Sequence, residues 1–377
     1  MNKKLLLTTT LAFVVISMLS VTINVQRAKA NNTVYIKADG SIDPPATANI
    51  TSSDNITYTL TDNIYDSIVV QRDDIILDGA GYVVQGSGTG SGIGLTGTSN
   101  VTIQNIEIRD FFDGLYLWHC RDITVSRNNI TENNNRGVNV YEDCNGTIIR
   151  GNNIISNDCG TEIEDGTHMI YHNNFMGNNE HVKALVYSSN TWDNGVEGNY
   201  WSNYTGVDLD AGGDGIGDSS HVIDANNQDD YPLMGPISFF DAGTWDEVTY
   251  YVHTISNSTV SDLYFSEGDM LVGFNVTGPN DTGGFCRVAI PKELLWCEDI
   301  FDWTVRVNGA WVPIRIQEHS DYSYIYFTYS HSVQKVEIFG TEVIPEFSTW
   351  TSILLVLTAL AIVMTICRGK LLKTPIH

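Results

Sequence analysis

The stretch Ile123-Thr-Val-Ser-Arg-Asn-Asn-Ile130 recurs along the chain. Val101-Thr-Ile-Gln-Asn-Ile-Glu-Ile108 precedes it. Thr147-Ile-Ile-Arg-Gly-Asn-Asn-Ile154 and His168-Met-Ile-Tyr-His-Asn-Asn-Phe175 follow, and Asn199-Tyr200 is a shortened last copy. The apolar end of the pattern falls at 108, 130, 154, 175 and 200. A second track runs beside it: Gly92-Ile-Gly-Leu95, Gly114-Leu-Tyr-Leu117, Gly137-Val-Asn-Val140 and Gly160-Thr-Glu-Ile163. Steps of 21 to 25 residues are too short for a helical repeat, and their apolar residues alternate with period two. They predict a right-handed parallel β-helix over 76–205, with short strands joined by Asn/Gly turns.

Stacking equivalent residues about 4.8 Å apart rewards Val, Ile and Leu that point inward and lets amide side chains pair along a column. Asn129, Asn153, Asn174 and Asn199 are the expected ladder. Residues 31–75 are expected to cap the first coil, whose sheet edges would otherwise stand open.

With 45 acidic and 20 basic residues among 377, the chain has a formal charge of −25. That excludes a nucleic-acid binder, which needs a basic footprint. Lys3 and Lys4, an apolar stretch, and Ala28-Lys29-Ala30 predict a signal peptide over 1–30. Residues 347–367 are uncharged and long enough to cross a bilayer, and Arg368, Lys370 and Lys373 follow in a cytoplasmic tail over 368–377. The expected location is the cell membrane, single-pass, with the bulk outside. Ten Asn-X-Ser/Thr sequons suit a glycosylated exterior. Outside the membrane segment five cysteines remain, an odd number, with Cys286 and Cys297 the expected bridge.

Residues 206–235 form an Asp/Gly-rich junction, and 236–343 change to antiparallel alternation with an Asn308-Gly309 turn. An immunoglobulin-like sandwich is expected there. The overall fold class is therefore all-β: a parallel β-helix, a sandwich and one C-terminal transmembrane helix.

The coils resemble parallel β-helix repeat proteins of the carbohydrate-binding and sugar-hydrolase group. Gly198-Asn-Tyr-Trp-Ser-Asn-Tyr204, Asp214-Gly-Ile-Gly-Asp218 and Tyr231-Pro-Leu233 resemble the ending of the NosD-type copper-binding β-helix. Gly284-Phe-Cys-Arg-Val-Ala-Ile-Pro-Lys292 and Ile344-Pro-Glu-Phe347 resemble archaeal cell-surface proteins. This resemblance implies fold and surface placement more than activity, since β-helices host lyases, hydrolases, adhesins and scaffolds alike.

If the Leu and Val of the second track point inward, Tyr116, Asn139 and Glu162 form one outward column, and Trp118, Tyr141, Glu164 and Tyr187 another. Aromatic rings beside carboxylates suit sugar rings, so an extracellular polysaccharide is the expected partner. Glu162 and Glu164, about 7 Å apart along a strand, are the alternative catalytic pair of a lyase or glycoside hydrolase. Asp208, Asp210, Asp214 and Asp218 offer a calcium loop with glycines at the turn. Copper handling comes only from the resemblance and is not expected: His168 and His172 would lie about 13 Å apart on a strand, and His119 with Cys120 stands alone. The leading expectation is a non-enzymatic, membrane-anchored surface protein with a carbohydrate-binding or adhesive face.

Overall fold

The computed structural model describes residues 33–343 apart from 46, 210, 211 and 246. The expected signal, membrane segment and tail lie outside the described residues. Among the described residues no helix is long and apolar enough to cross a membrane.

A parallel β-solenoid of about six turns occupies the first half. Its broadest sheet stacks Val34–Ile36, Ile68–Val70, Ser91–Thr96, Asp113–Trp118, Arg136–Tyr141, Cys159–Gly166 and Glu180–Ser188. Two further sheets close each coil, one through Thr124–Ser126 and Ile148–Arg150, the other through Asn129–Thr131 and Asn153–Ile155. Residues 33–75 belong to these same sheets, and the antiparallel strands Ile42–Asp43 and Ile50–Thr51 end two of them.

Inward residues follow the repeat. Ile108, Ile130, Ile154, Phe175 and Trp201 stand in register and are buried, so the last step of the column is Trp201 and not Tyr200. Each such side chain contributes roughly 1.5–3 kcal/mol by leaving water. The second track is a glycine column for a steric reason. A Cβ on Gly114 would lie 2.6 Å from the Gly137 carbonyl oxygen, and one on Gly137 2.6 Å from that of Gly160.

The asparagine ladder exists and ends at Asn199 as expected, but its other three members lie one residue earlier than expected. Asn128 donates to Asn152, Asn152 to Asn173 and Asn173 to Asn199, at 3.1, 2.9 and 3.0 Å. Arg127, Gly151 and His172 just before them have left-handed backbones, with φ of 55°, 68° and 59°. That corner turns the following amide inward, whereas Asn129, Asn153 and Asn174 begin the next strands. A second ladder runs Asn133, Asn157, Asn178.

Residues 206–235 are more than a junction. Asp229 ends the first ladder by accepting from the Asn199 backbone at 2.7 Å and from the Trp201 indole at 2.8 Å. Asn227 likewise accepts from the Trp192 indole at 3.1 Å. The segment thus closes the last coil, whose amides would otherwise face no partner.

Two five-stranded antiparallel sheets form the second body. Their shared core includes Val252, Phe274, Val288, Trp303, Ile325, Phe327 and Ile338. The Cys286–Cys297 bridge expected from sequence is not formed: both thiols are free. Cys286 is fully buried in that core beside Ser256, whereas Cys297 is only partly buried, near Thr341. Ile216, Leu233, Ile237 and Ile255 pack together where the sandwich meets the solenoid.

Candidate functional site

The broad sheet brings the first expected column together: Tyr116 pairs with Asn139, and Asn139 with Glu162. Trp118 stands beside Tyr141. The Tyr116 and Tyr141 rings stack with centroids 6.0 Å apart, and the Trp118 indole N–H donates to Glu142 at 3.2 Å. Asn139 lies beneath this face. It is 3% exposed and donates weakly to Asp113 at 3.4 Å.

Glu162 is already committed. Arg136 donates to it at 2.8 and 3.2 Å, and Lys183 at 3.1 Å. Burial disfavours its charge, but these two cations outweigh burial and hold its carboxyl below the usual range. A general acid needs the opposite shift. Glu164 accepts from the Glu142 backbone at 3.3 Å. Both carboxylates therefore offer hydrogen-bond acceptors, and Glu162 is not a raised acid.

The strand that carries Lys183 also leads to a cavity of about 400 Å³, lined by Glu180, His181, Trp201, Ser202, Asn203 and His221 among others. His181 bonds Asn178 at 3.3 Å and the Ser202 hydroxyl at 3.1 Å. His221 stacks on Trp201 at 4.5 Å. Burial lowers the pKa of both imidazoles, so they are neutral there at pH 7.

In the acidic loop, Asp208 accepts from the backbones of Asp214 and Gly215 at 3.0 and 2.8 Å. Asp218 accepts from Leu209 at 2.8 Å, and Asp214 from Ile216 at 3.0 Å. Asp210 lies outside the described residues. Burial, together with the charges of Asp214 and Asp218, raises the Asp208 pKa against the pull of its backbone hydrogen bonds.

A further centre lies where the two bodies meet. His172 Nε2 and His253 Nε2 approach the same oxygen of Glu197, Oε2, at 3.0 and 2.9 Å. Arg287 Nε holds the other oxygen at 2.7 Å. All four residues are buried, Glu197 completely. Burial opposes the Glu197 charge, yet His253, His172 and Arg287 hold its carboxyl well below the usual range. Burial keeps His172 neutral.

His172 and Glu197 come from the solenoid, and His253 and Arg287 from the strands Val248–Ser256 and Gly283–Pro291 of the sandwich. The left-handed corner at His172 is the local cause of its placement, since it turns the chain just before the inward Asn173. Sequence reading missed Glu197 and His253. No short motif could show them, because they stand 56 positions apart and meet only across the docked bodies. His168 is separate, as the spacing predicts: it accepts from the Thr147 backbone and bonds the Asp165 carbonyl. His119 lies 3.2 Å from Asp143.

A sequence model of the family described as "Periplasmic copper-binding protein (NosD)" matches residues 13–206, just over half of the chain. The chain belongs to the NosD family. Among curated proteins none matches it. The NosD match ends where the solenoid ends, so the sandwich and its His253 lie beyond it. The copper in the NosD description finds a compatible donor set in this chain, because imidazole and carboxylate are ligands that copper(II) accepts. His172, His253 and Glu197 are the residues that would hold it, their donor atoms all lying within 4.8 Å of one another.

Proposed function

We propose that this NosD-family protein is a non-catalytic surface protein whose solenoid presents a carbohydrate-binding face. The observation that carries the reading is the ring pair Tyr116–Tyr141, with Trp118 held beside it by Glu142. A sugar stacks its apolar face on such rings and turns its hydroxyls to nearby charged groups, here Glu162, Glu164 and Lys183. The partner is an extracellular polysaccharide. The right-handed solenoid stands outside the cell, and the sandwich, read as an immunoglobulin-like spacer, holds it away from the membrane that residues 347–367 cross. Charge on the exterior and the sequons, read as glycosylation sites, keep such a surface soluble and unaggregated.

The committed state of Glu162 favours binding over turnover. A glycan array on the full chain, followed by a turnover assay on each hit, tests this. Binding without product, lost in Trp118→Ala and Tyr141→Ala, supports the reading. Product that disappears in Glu162→Gln or Glu164→Gln would replace it with a lyase or hydrolase.

A further inference from the structure

We propose that His172, Glu197 and His253 bind one divalent first-row transition-metal ion, zinc or copper(II), and that the ion clamps the sandwich to the solenoid. Two imidazole nitrogens at 3.0 and 2.9 Å from one carboxylate oxygen form a compact triangle of donors. Zinc and copper(II) bind imidazole and carboxylate at about 2.0–2.2 Å, which a small spreading of this triangle accommodates. Alkaline-earth ions are disfavoured, because they ask for six or more oxygens.

The chemistry of insertion balances within the protein. In the tautomer that carries its proton on Nε2, a ring donates that proton to Glu197 Oε2. As the ion enters, a ring in that tautomer moves the proton to Nδ1, and the freed Nε2 lone pair becomes a ligand. No proton need leave. Two N–H···O bonds are exchanged for three metal–ligand bonds.

The surroundings are those of a supported site. Arg287 fixes the second oxygen of Glu197, the orienting role that partners outside the ligand shell play at metal centres. Its positive charge is shared: Asp214 places a carboxylate oxygen 4.0 Å away and its carbonyl oxygen 3.2 Å away. Glu197 is therefore left able to neutralise part of an added ion. Phe239 and Tyr322 pack against the His253 ring, with centroids at 5.3 and 5.7 Å, and shield the centre from water. Asp214, whose side chain is 38% exposed, lies on the Arg287 side of the centre. Ligands from both bodies mean that binding requires them docked, so the ion must favour the docked state by mass action.

The test uses the full chain stripped with chelator, desalted, and titrated with zinc in one arm and copper(II) in the other. Saturation at one equivalent is expected in at least one arm, which also names the ion. The copper(II) spectrum should show two nitrogen donors. Bound ion should raise the melting temperature and slow proteolysis within 206–235. His172→Ala and His253→Ala should each weaken binding by about a hundredfold or more, whereas His119→Ala, at an exposed histidine, should leave it unchanged. No saturable binding by the wild type overturns the proposal, as does wild-type affinity in a folded His253→Ala. If the buried variants do not fold, the wild type decides alone: an oxygen-only copper spectrum, or proteolysis indifferent to either ion, overturns it equally.

Discussion

Asn174 and Ile237 exchange two hydrogen bonds: the Asn174 amide donates to the Ile237 carbonyl at 2.8 Å, and its oxygen accepts the Ile237 N–H at 2.8 Å. One side chain of the solenoid thus pairs with the first sandwich strand as a neighbouring strand would. Asn174→Ala should leave both backbone groups unsatisfied in a buried place, at about 1–3 kcal/mol each. Faster proteolysis of 206–235, with little change at the solenoid's first coils, is the expected readout. Unchanged proteolysis would mean that the apolar contacts around Ile237 suffice to dock the bodies.

The ladder register can be checked by neighbouring substitutions. Asn152 is fully buried and its amide donates to Asn173, Val125 and Arg150. Asn152→Ala should cost about 2–4 kcal/mol in urea unfolding, since several partners are stranded together. Asn153→Ala, on an exposed side chain, should cost under about 1 kcal/mol. Equal losses would contradict the inward corner.

Glycine in the second track is a packing requirement. Gly137→Ala drives a methyl group into the next coil's backbone, whereas Gly94→Ala meets nothing within 4 Å. Thermal unfolding should show a large loss for the first, about 2–4 kcal/mol, and almost none for the second. Similar melting temperatures would show that the coils can spread.

Acid should destabilise the protein between about pH 6.5 and pH 5. Burial holds the pKa of His168, His172, His181 and His221 below the ordinary histidine value. Such groups contribute stability above the unfolded pKa, and it is lost as pH falls because the unfolded chain takes up more protons. Asp229 works the other way: burial pushes it up to about 7 against its hydrogen bonds, so its cost grows as pH rises from its unfolded value towards 7. Asp208, which burial also raises, works with Asp229, so two carboxyls oppose four histidines, and the expected net slope keeps the sign of the histidines. Urea midpoints from pH 8 to pH 5 should therefore decline, less steeply in His221→Gln. A flat profile would contradict this.

Calcium is expected to relieve the mutual repulsion of Asp208, Asp214 and Asp218 and to raise the melting temperature, with chelator reversing the shift. At about 100 times its dissociation constant, a ligand stabilises by roughly 2.7 kcal/mol. Asp214→Ala should abolish the response. Superimposed curves with calcium and chelator would leave the loop as an acidic turn satisfied by its own N–H groups.

The sequence by itself determined the solenoid. A period of 21 to 25 residues with alternating Val, Ile and Leu leaves few other ways to bury those side chains, and the glycine track fixes which strands stack. It also placed Tyr116 beside Asn139 and Trp118 beside Tyr141, because side-chain direction along a strand is set by parity alone. Parity could not tell a corner residue from a strand residue, so three of the four ladder members stand one position earlier, after the left-handed Arg127, Gly151 and His172, while Asn199 stands where the repeat placed it. Nor could it foresee that Asn139 would be covered and Glu162 claimed by Arg136 and Lys183, since both depend on side chains from adjacent coils. The centre at Glu197 belongs wholly to tertiary structure. Its four residues are scattered along the chain, and only the docking of the sandwich onto the solenoid brings two histidines and an arginine to one buried carboxylate.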